Sequence, residues 1–225
     1  MFRDRTDAGE KLAFRLQHLK PEHPVVIALP RGGVPVAFEV AKVLEAPLDV
    51  ILIRKIGAPG QPELAVGAVT DGGRPEVVIN KDIARATGAS ADYIERQKEA
   101  ELKHIEERRA RYFTGVPRPD IEGRTVIVID DGIATGATMR VAVKAFEHRG
   151  AGRLVVAVPV APPDTIERLQ QEVDEVVCLD APEFFHAVGA FYRDFTQTQD
   201  DDVVDLLQRA AVFSRPQGGS PGSER

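Results

Sequence analysis

The sequence predicts an α/β fold in which a parallel sheet is flanked by helices. Three observations lead to this prediction: short β-branched apolar runs recur along the chain, stretches with helical spacing separate them, and turn-forming residues bound both. Continuous apolar runs are typical of strands that are buried on both faces. Because strands and helices alternate, we expect right-handed crossover connections between parallel strands.

Each element of this fold can be assigned to a segment. Five apolar runs are predicted to be the core strands: Val25–Leu29, Leu48–Ile53, Thr125–Ile129, Leu154–Val160 and Val176–Leu179. Three stretches with helical spacing are predicted to be helices: Pro35–Leu44, Gly136–Arg149 and Asp164–Gln171. The second helix is followed by Gly150, the residue type that most often follows the end of a helix.

Two segments interrupt the alternation and predict an insertion at about residues 65–118. Ala65–Thr70 and Pro75–Ile79 flank Asp71-Gly72-Gly73, a pattern typical of a β-hairpin. Ser90–Tyr112 predicts one long polar helix with Ser90 as its cap. The apolar stripe of this helix is thin, so we expect it to lie against the domain or against a partner subunit, as in a homodimer.

Composition limits the classes of function. The chain has 225 residues, 43% of them hydrophobic, which suits one domain over residues 1–213, while the Gly-, Ser- and Pro-rich segment 214–225 is predicted to be disordered. The net charge of -6 disfavours a nucleic-acid partner. No apolar run approaches the ~18 residues of a membrane span. The single cysteine, Cys178, cannot form an internal disulfide, which favours a reducing cytoplasm.

The segment Val126–Thr138 carries the most specific chemical signal. Its apolar strand ends in Asp130 and Asp131, and Gly132–Thr138 then leads into a helix. Ligands of open α/β sheets bind beyond the carboxyl ends of strands, where helix N-termini present N–H groups to anions. The glycines let the backbone curl around a phosphate, and the threonines add hydroxyl donors. Two carboxylates beside a phosphate would repel it, so we expect them to face sugar hydroxyls or a hydrated magnesium ion. The segment therefore predicts a site for a ribose 5-phosphate.

This segment resembles the 5-phosphoribosyl-1-pyrophosphate (PRPP) signature of type I phosphoribosyltransferases. The resemblance implies a type I phosphoribosyltransferase-like fold with a small hood, formed by about residues 1–20 and 180–200. It implies that Asp130 and Asp131 hold the ribose hydroxyls, directly or through Mg²⁺ and its water. The 5′-phosphate would be wrapped by Ala134, Thr135, Gly136, Ala137 and Thr138.

A second anion site is predicted at the end of the first strand. Arg31 offers a fork of donors there, and Gly32 and Gly33 permit unusual backbone angles at the start of a helix. The turn resembles the pyrophosphate loop of xanthine-guanine phosphoribosyltransferases, which implies a non-proline cis peptide near Arg31-Gly32.

Two further cations are candidates for the pyrophosphate group. Lys55 resembles the lysine that opens the flexible catalytic loop of hypoxanthine-guanine enzymes, and Ile56–Leu64 would then be the lid. The neighbouring Arg54 is expected on the opposite face of the strand, so that only one of the two reaches the site. Phe191–Phe195 resembles the family segment whose arginine contacts pyrophosphate, which makes Arg193 the other candidate.

The resemblance implies Mg²⁺-dependent transfer of the phosphoribosyl group from PRPP to a nitrogenous base in nucleotide salvage. The acceptor is left open. Ala134 occupies the position of an aspartate in hypoxanthine-guanine enzymes, and Val158–Pro163 lacks their lysine. Phe184, Phe185 and Tyr192 are candidates to stack on a flat ring. A PRPP-binding regulator without catalysis and a PRPP hydrolase are the alternatives.

Overall fold

The structure is a computed structural model and describes residues 1–71, 75, 77–112 and 118–213. Its strands are β1 Val25–Ala28, β2 Leu48–Val50, β3 Ile53–Ala58, β4 Gln61–Thr70, β5 Val77–Ile79, β6 Thr125–Ile129, β7 Arg153–Val160 and β8 Glu175–Asp180. Its α-helices are α1 Arg5–Leu16, α2 Gly33–Leu44, α3 Lys81–Thr87, α4 Ala91–Tyr112, α5 Ala137–His148, α6 Pro163–Gln170 and α7 Asp200–Ala210. Short 3-10 helices occupy Gln17–Glu22 and Val188–Phe191. The predicted tail 214–225 lies outside the described residues.

The five-stranded core sheet confirms the predicted parallel architecture. Its strand order is β2-β1-β6-β7-β8, and every neighbouring pair is parallel. Strands β1 and β6 are buried along their whole length, because helices cover both faces of the sheet. The order places β1 beside β6, so the two predicted anion sites follow adjacent strands.

The predicted second core strand, Leu48–Ile53, was wrong in its second half. Strand β2 ends at Val50, and the chain then leaves the core sheet for a second, antiparallel sheet of order β3-β4-β5. Ile51 and Leu52 are both buried at this crossing, which explains why the apolar run looked continuous. The predicted lid, Ile56–Leu64, is the far end of the β3–β4 hairpin, which reverses at Gly60 with a φ of 71°.

The predicted hairpin of the insertion is present as strands β4 and β5. They pair antiparallel through Gly67–Ile79, Ala68–Val78 and Val69–Val77. Residues 72 and 73 of the predicted turn lie outside the described residues.

The long helix α4 lies against the domain, as one of the two predicted arrangements. Ile105 and Tyr112 are buried in its interface with the core. Ser90 accepts a hydrogen bond from the N–H of Tyr93, which confirms it as the cap. A buried ionic cluster fixes the far end of the insertion, where Arg109 and Arg118 both pair with Asp49 and Asp71.

The two segments that were predicted to form the hood are in contact with each other. Helix α1 packs on α2, β7 and β8, and Phe2 forms a parallel bridge with Tyr192. The rings of Phe2 and Tyr192 lie 5.3 Å apart and, with Ala8, form a small separate cluster. Among the described residues, none of the helices is long and apolar enough to span a membrane.

Candidate functional site

The two predicted anion sites meet at one edge of the core sheet. Ala28 pairs with Ile129, and the N–H of Leu29 donates to the carbonyl of Ile129 across 2.8 Å. The turn after β1 therefore lies directly against the acidic pair that follows β6. An added Cβ at Gly33 would approach the Ile129 carbonyl oxygen to 2.8 Å, and one at Gly32 would overlap the Asp131 carboxylate. Both positions exclude a side chain because the second turn lies so close.

The signature loop has the form of a phosphate cradle. Gly136 has a φ of 76°, a left-handed conformation that glycine adopts without strain, and α5 begins at the next residue. The carbonyl of Ala134 accepts a hydrogen bond of 2.9 Å from the hydroxyl of Thr165, which fixes the start of the loop. Thr135 and Thr138 are exposed. The open helix N-terminus and these hydroxyls can bind an anion.

Asp130 and Asp131 form an electrostatically strained pair. The N–H of Asp131 donates to Asp130 Oδ1 across 2.8 Å, which draws the two residues together. Desolvation and then the charge of Asp131 raise the pKa of Asp130 well above its usual range. Desolvation also raises the pKa of Asp131, although Arg5 opposes this shift. Hydroxyl donors or a divalent cation would favour the ionised form of both groups.

Arg5 is a site residue that the sequence did not reveal. Its Nε lies 2.7 Å from Asp131 Oδ2, and the two side chains are only 11% and 13% exposed. Its guanidinium also donates to the carbonyl of Thr196 across 2.7 Å and lies 3.9 Å from the centre of the Phe195 ring. No local signal marks this pair, because 126 positions separate its members. Arg5 thus joins both segments of the hood to the acidic pair.

Tyr192 has a different role from the predicted stacking. Only 6% of the residue is exposed, and its hydroxyl donates to the carbonyl of Asp131 across 2.6 Å. Desolvation raises the pKa of this hydroxyl, so it stays protonated as a donor. Phe184 is 83% exposed, whereas Phe185 stacks on Phe191 at 5.5 Å. Tyr192 therefore holds the backbone of the acidic pair and cannot stack on a base.

The predicted cations lie in separate places. The peptide bond between Pro30 and Arg31 is cis, one bond before the position expected, and Arg31 Nη1 lies 3.8 Å from Asp200 Oδ1. Lys55 lines a cavity of about 350 Å³ together with Ala137 and Thr138 at the start of α5. Arg193 lies within the hood and is exposed, and its backbone N–H donates to the carbonyl of Phe2.

Strand alternation separates Arg54 from Lys55, as predicted. Arg54 lines another cavity, of about 390 Å³, which also includes Pro30 and Thr138. Its Nε lies 2.7 Å from Glu101 of α4. Both cavities therefore reach Thr138, but only the one with Arg54 also reaches the turn after β1.

Comparisons with known proteins agree with this geometry. The model of the phosphoribosyl transferase domain family matches residues 5–196. A Mycobacterium tuberculosis H37Rv protein, provisionally named a phosphoribosyl transferase, is 48% identical over 210 residues, which cover 93% of this chain and 47% of that protein. The chain thus spans about half the length of the curated relatives it matches. The uracil phosphoribosyltransferase of Lactobacillus gasseri is 38% identical over 65 residues, 29% of this chain and 31% of that enzyme.

A solved structure is similar over nearly the whole chain. The crystal structure of TT1426 from Thermus thermophilus superposes with a TM-score of 0.81 at 46% identity, and covers 93% of this chain and 98% of that one. The parallel sheet, its flanking helices and the family match confirm the predicted type I phosphoribosyltransferase-like fold. The chain belongs to the phosphoribosyl transferase domain family, a family of transferases.

Proposed function

We propose that this chain transfers the 5-phosphoribosyl group from PRPP to a nitrogenous base and releases pyrophosphate, as a Mg²⁺-dependent enzyme of nucleotide salvage. The observation that carries the proposal is the contact between the two turns, where Gly32 and Gly33 abut Asp131 and Ile129. PRPP has phosphate groups at both ends of one ribose. Two anion sites on either side of a carboxylate pair match that arrangement.

Each group of residues has a part in the transfer. Ala134–Thr138 hold the 5′-phosphate with backbone N–H groups and hydroxyls, while Asp130 and Asp131 accept hydrogen bonds from the ribose hydroxyls. Arg31 binds the pyrophosphate from the turn after β1, and Lys55 and Arg193 are the other proposed cations. During transfer the bond from C1 to the pyrophosphate oxygen breaks, a bond from C1 to a base nitrogen forms, and that nitrogen releases its proton to the departing pyrophosphate or to water. Fixed positive charge favours departure of the pyrophosphate.

The acidic pair also fits a magnesium ion. Mg²⁺ takes oxygen ligands and in proteins is often held by one or two carboxylates together with substrate phosphates. In the described part of the chain, no group of three or more His, Cys, Asp or Glu side chains forms a metal cage. A site of two carboxylates completed by the substrate agrees with that finding. When bound, the ion would neutralise phosphate charge and offset the repulsion between Asp130 and Asp131.

The acceptor is proposed only as a nitrogenous base. Ala134 lies at the start of the cradle and is exposed, so no acidic side chain contacts a ring from that position. The similarity of one 65-residue stretch to a uracil phosphoribosyltransferase makes uracil the first base to test.

The test is pyrophosphate release from PRPP with Mg²⁺ in the presence of uracil, adenine, orotate, hypoxanthine, guanine or no base. We expect release that depends on one base and is lost in Asp131→Asn. Release without any base would identify a hydrolase. PRPP binding without release on any base would identify a regulator, and either result would contradict the transferase proposal.

A further inference from the structure

The insertion helix α4 forms one wall of the cavity of about 390 Å³ beside the turn after β1. Pro30 and Thr138 line the cavity from the two anion-binding turns, and Arg108 and Arg111 line it from the last turns of α4. Asp200, the first residue of α7, completes the wall. The cavity therefore joins the proposed substrate site to two elements outside the sequence motifs.

The carboxylate of Asp200 lies at the centre of a cluster of arginines. Its oxygens lie 3.2 Å from Arg111, 3.8 Å from Arg31 and 4.0 Å from Arg108. The hydroxyl of Tyr112 donates to it across 2.6 Å. The Asp200 side chain is 17% exposed, and the hydrogen bond from Tyr112 lowers the pKa of Asp200 below its usual range. The carboxylate is therefore ionised and surrounded by four donor groups.

The charges of the cluster do not balance. Three guanidinium groups face Asp200, and the one other acid that meets them among the described residues is Asp201, which pairs with Arg111 and is 89% exposed. Of the described residues that line the cavity, the acids are Glu107 and Asp200. Guanidinium groups bind phosphates through paired hydrogen bonds, so a group with more negative charge than one carboxylate would fit the cluster better. Arg31 belongs both to this cluster and to the turn after β1, which we propose binds the pyrophosphate of PRPP. The group that fits the cluster is therefore a diphosphate.

We propose that Arg108 and Arg111 bind the diphosphate of PRPP together with Arg31, and that Asp200 is an internal counter-ion which the diphosphate displaces. The proposal rests on the proposed function and extends it to the insertion, which would supply charge for the leaving group. Asp200 then competes with the substrate. The insertion thus raises the affinity for the diphosphate, and α7 lowers it.

Opposite effects of two kinds of substitution test this competition. The probe is inorganic pyrophosphate, titrated calorimetrically into the full chain with and without Mg²⁺. We expect Asp200→Asn to bind about tenfold more tightly, because it removes the competing charge but keeps an acceptor for Tyr112. We expect Arg111→Gln and Arg108→Gln each to bind about tenfold more weakly.

The salt bridge Arg209–Asp205, on the same helix α7, provides the matched controls. Its side chains are 58% and 63% exposed, so Arg209→Gln and Asp205→Asn should leave pyrophosphate affinity unchanged. Thermal unfolding of every variant shows whether a loss of affinity is a loss of fold. Arg108→Gln is the second variant because Arg108 lies farther from Asp200 than Arg111 does, at 4.0 Å against 3.2 Å. Arg108 therefore contributes less to the attachment of α7.

The outcomes separate this inference from the proposed function. If Asp200→Asn only lowers the melting temperature and does not tighten binding, Asp200 is a structural cross-link and the inference is overturned. If PRPP binds in a manner that depends on Asp131 while both arginine variants bind like the wild type, the inference alone fails. If the wild type binds neither PRPP nor pyrophosphate, both proposals fail.

Discussion

Replacing Arg5 by alanine should destabilise the protein by about 3 kcal/mol, although Arg5 lies in the first turn of the first helix. The substitution removes one partner of an ion pair with a 2.7 Å contact whose side chains are 11% and 13% exposed. Loss of one partner of a buried pair costs about 3–5 kcal/mol, because the other charge stays desolvated. We expect the lower end of that range, since the Asp131 side chain is 13% exposed and can gain water.

The magnitude translates into a measurable shift in melting temperature. For a domain of this size, 1 kcal/mol corresponds to about 2–4 °C, so Arg5→Ala should melt about 6–12 °C below the wild type. Asp205→Ala is the control, because it breaks an ion pair on an exposed helix face, where such pairs contribute about 0–1 kcal/mol. Differential scanning calorimetry measures both.

A double-mutant cycle tests the assigned cause. In the Asp131→Asn background the desolvated charge is absent, so removal of Arg5 should be at least about 1.5 kcal/mol less destabilising than in the wild type. Strictly additive effects would refute the reasoning, because they would mean that Arg5 acts through Thr196 and Phe195 and not through the carboxylate. PRPP affinity should also fall in Arg5→Ala, since the carboxylate loses its fixed position.

Three more predictions concern the carboxylates and their surroundings. Gly32→Ala should weaken PRPP binding about tenfold in calorimetric titration, because the added Cβ overlaps the carboxylate of Asp131 and overpacking by a methyl group costs about 1–3 kcal/mol. Asp7→Asn should lower the unfolding free energy by about 1 kcal/mol at pH 7 and by less at pH 3. The hydrogen bond from Lys11 lowers the pKa of Asp7 below 3.8. The stabilisation by Asp7 is therefore present above pH 3.8 and is lost as pH falls through the folded-state pKa. An equal loss of unfolding free energy at both pH values in urea unfolding would contradict this prediction. Asp71→Ala should cost about 3 kcal/mol in urea unfolding, because two arginines lose a shared partner that is 3% exposed, and a loss below about 1 kcal/mol would mean that the cluster does not anchor the insertion.

The core strands were predictable because each is a short, β-branched run that is buried on both faces. The prediction failed where such an apolar, buried run continues although the chain passes from one sheet to another. Ile51 and Leu52 are as apolar and as buried as the residues of β2, yet they cross from the core sheet to the second sheet. Hydrophobicity indicates burial but not the partner strand, so the sequence does not show that β2 ends at Val50.

The two turns that we propose to bind anions were predictable for a related reason. Each is a contiguous segment whose glycines and polar groups follow a strand, and parallel strands end at one edge of a sheet. The structure places the two turns in contact because β1 and β6 are neighbours in the sheet, an order that the sequence did not predict. Arg108 and Arg111 were visible in the sequence as a cluster of charge, but only the path of α4 shows that they line the cavity beside Pro30.

The hood explains why the rest of the site could not be predicted. Tyr192 was a candidate to stack on a base because it is aromatic, but residue type does not show whether a tyrosine uses its ring or its hydroxyl. Its ring packs on Phe2, and its hydroxyl holds the carbonyl of Asp131. Arg5 holds the carboxylate of the same residue. The hood therefore holds Asp131 through both its backbone and its side chain, so the position of the acidic pair depends on segments that lie far from it in the sequence.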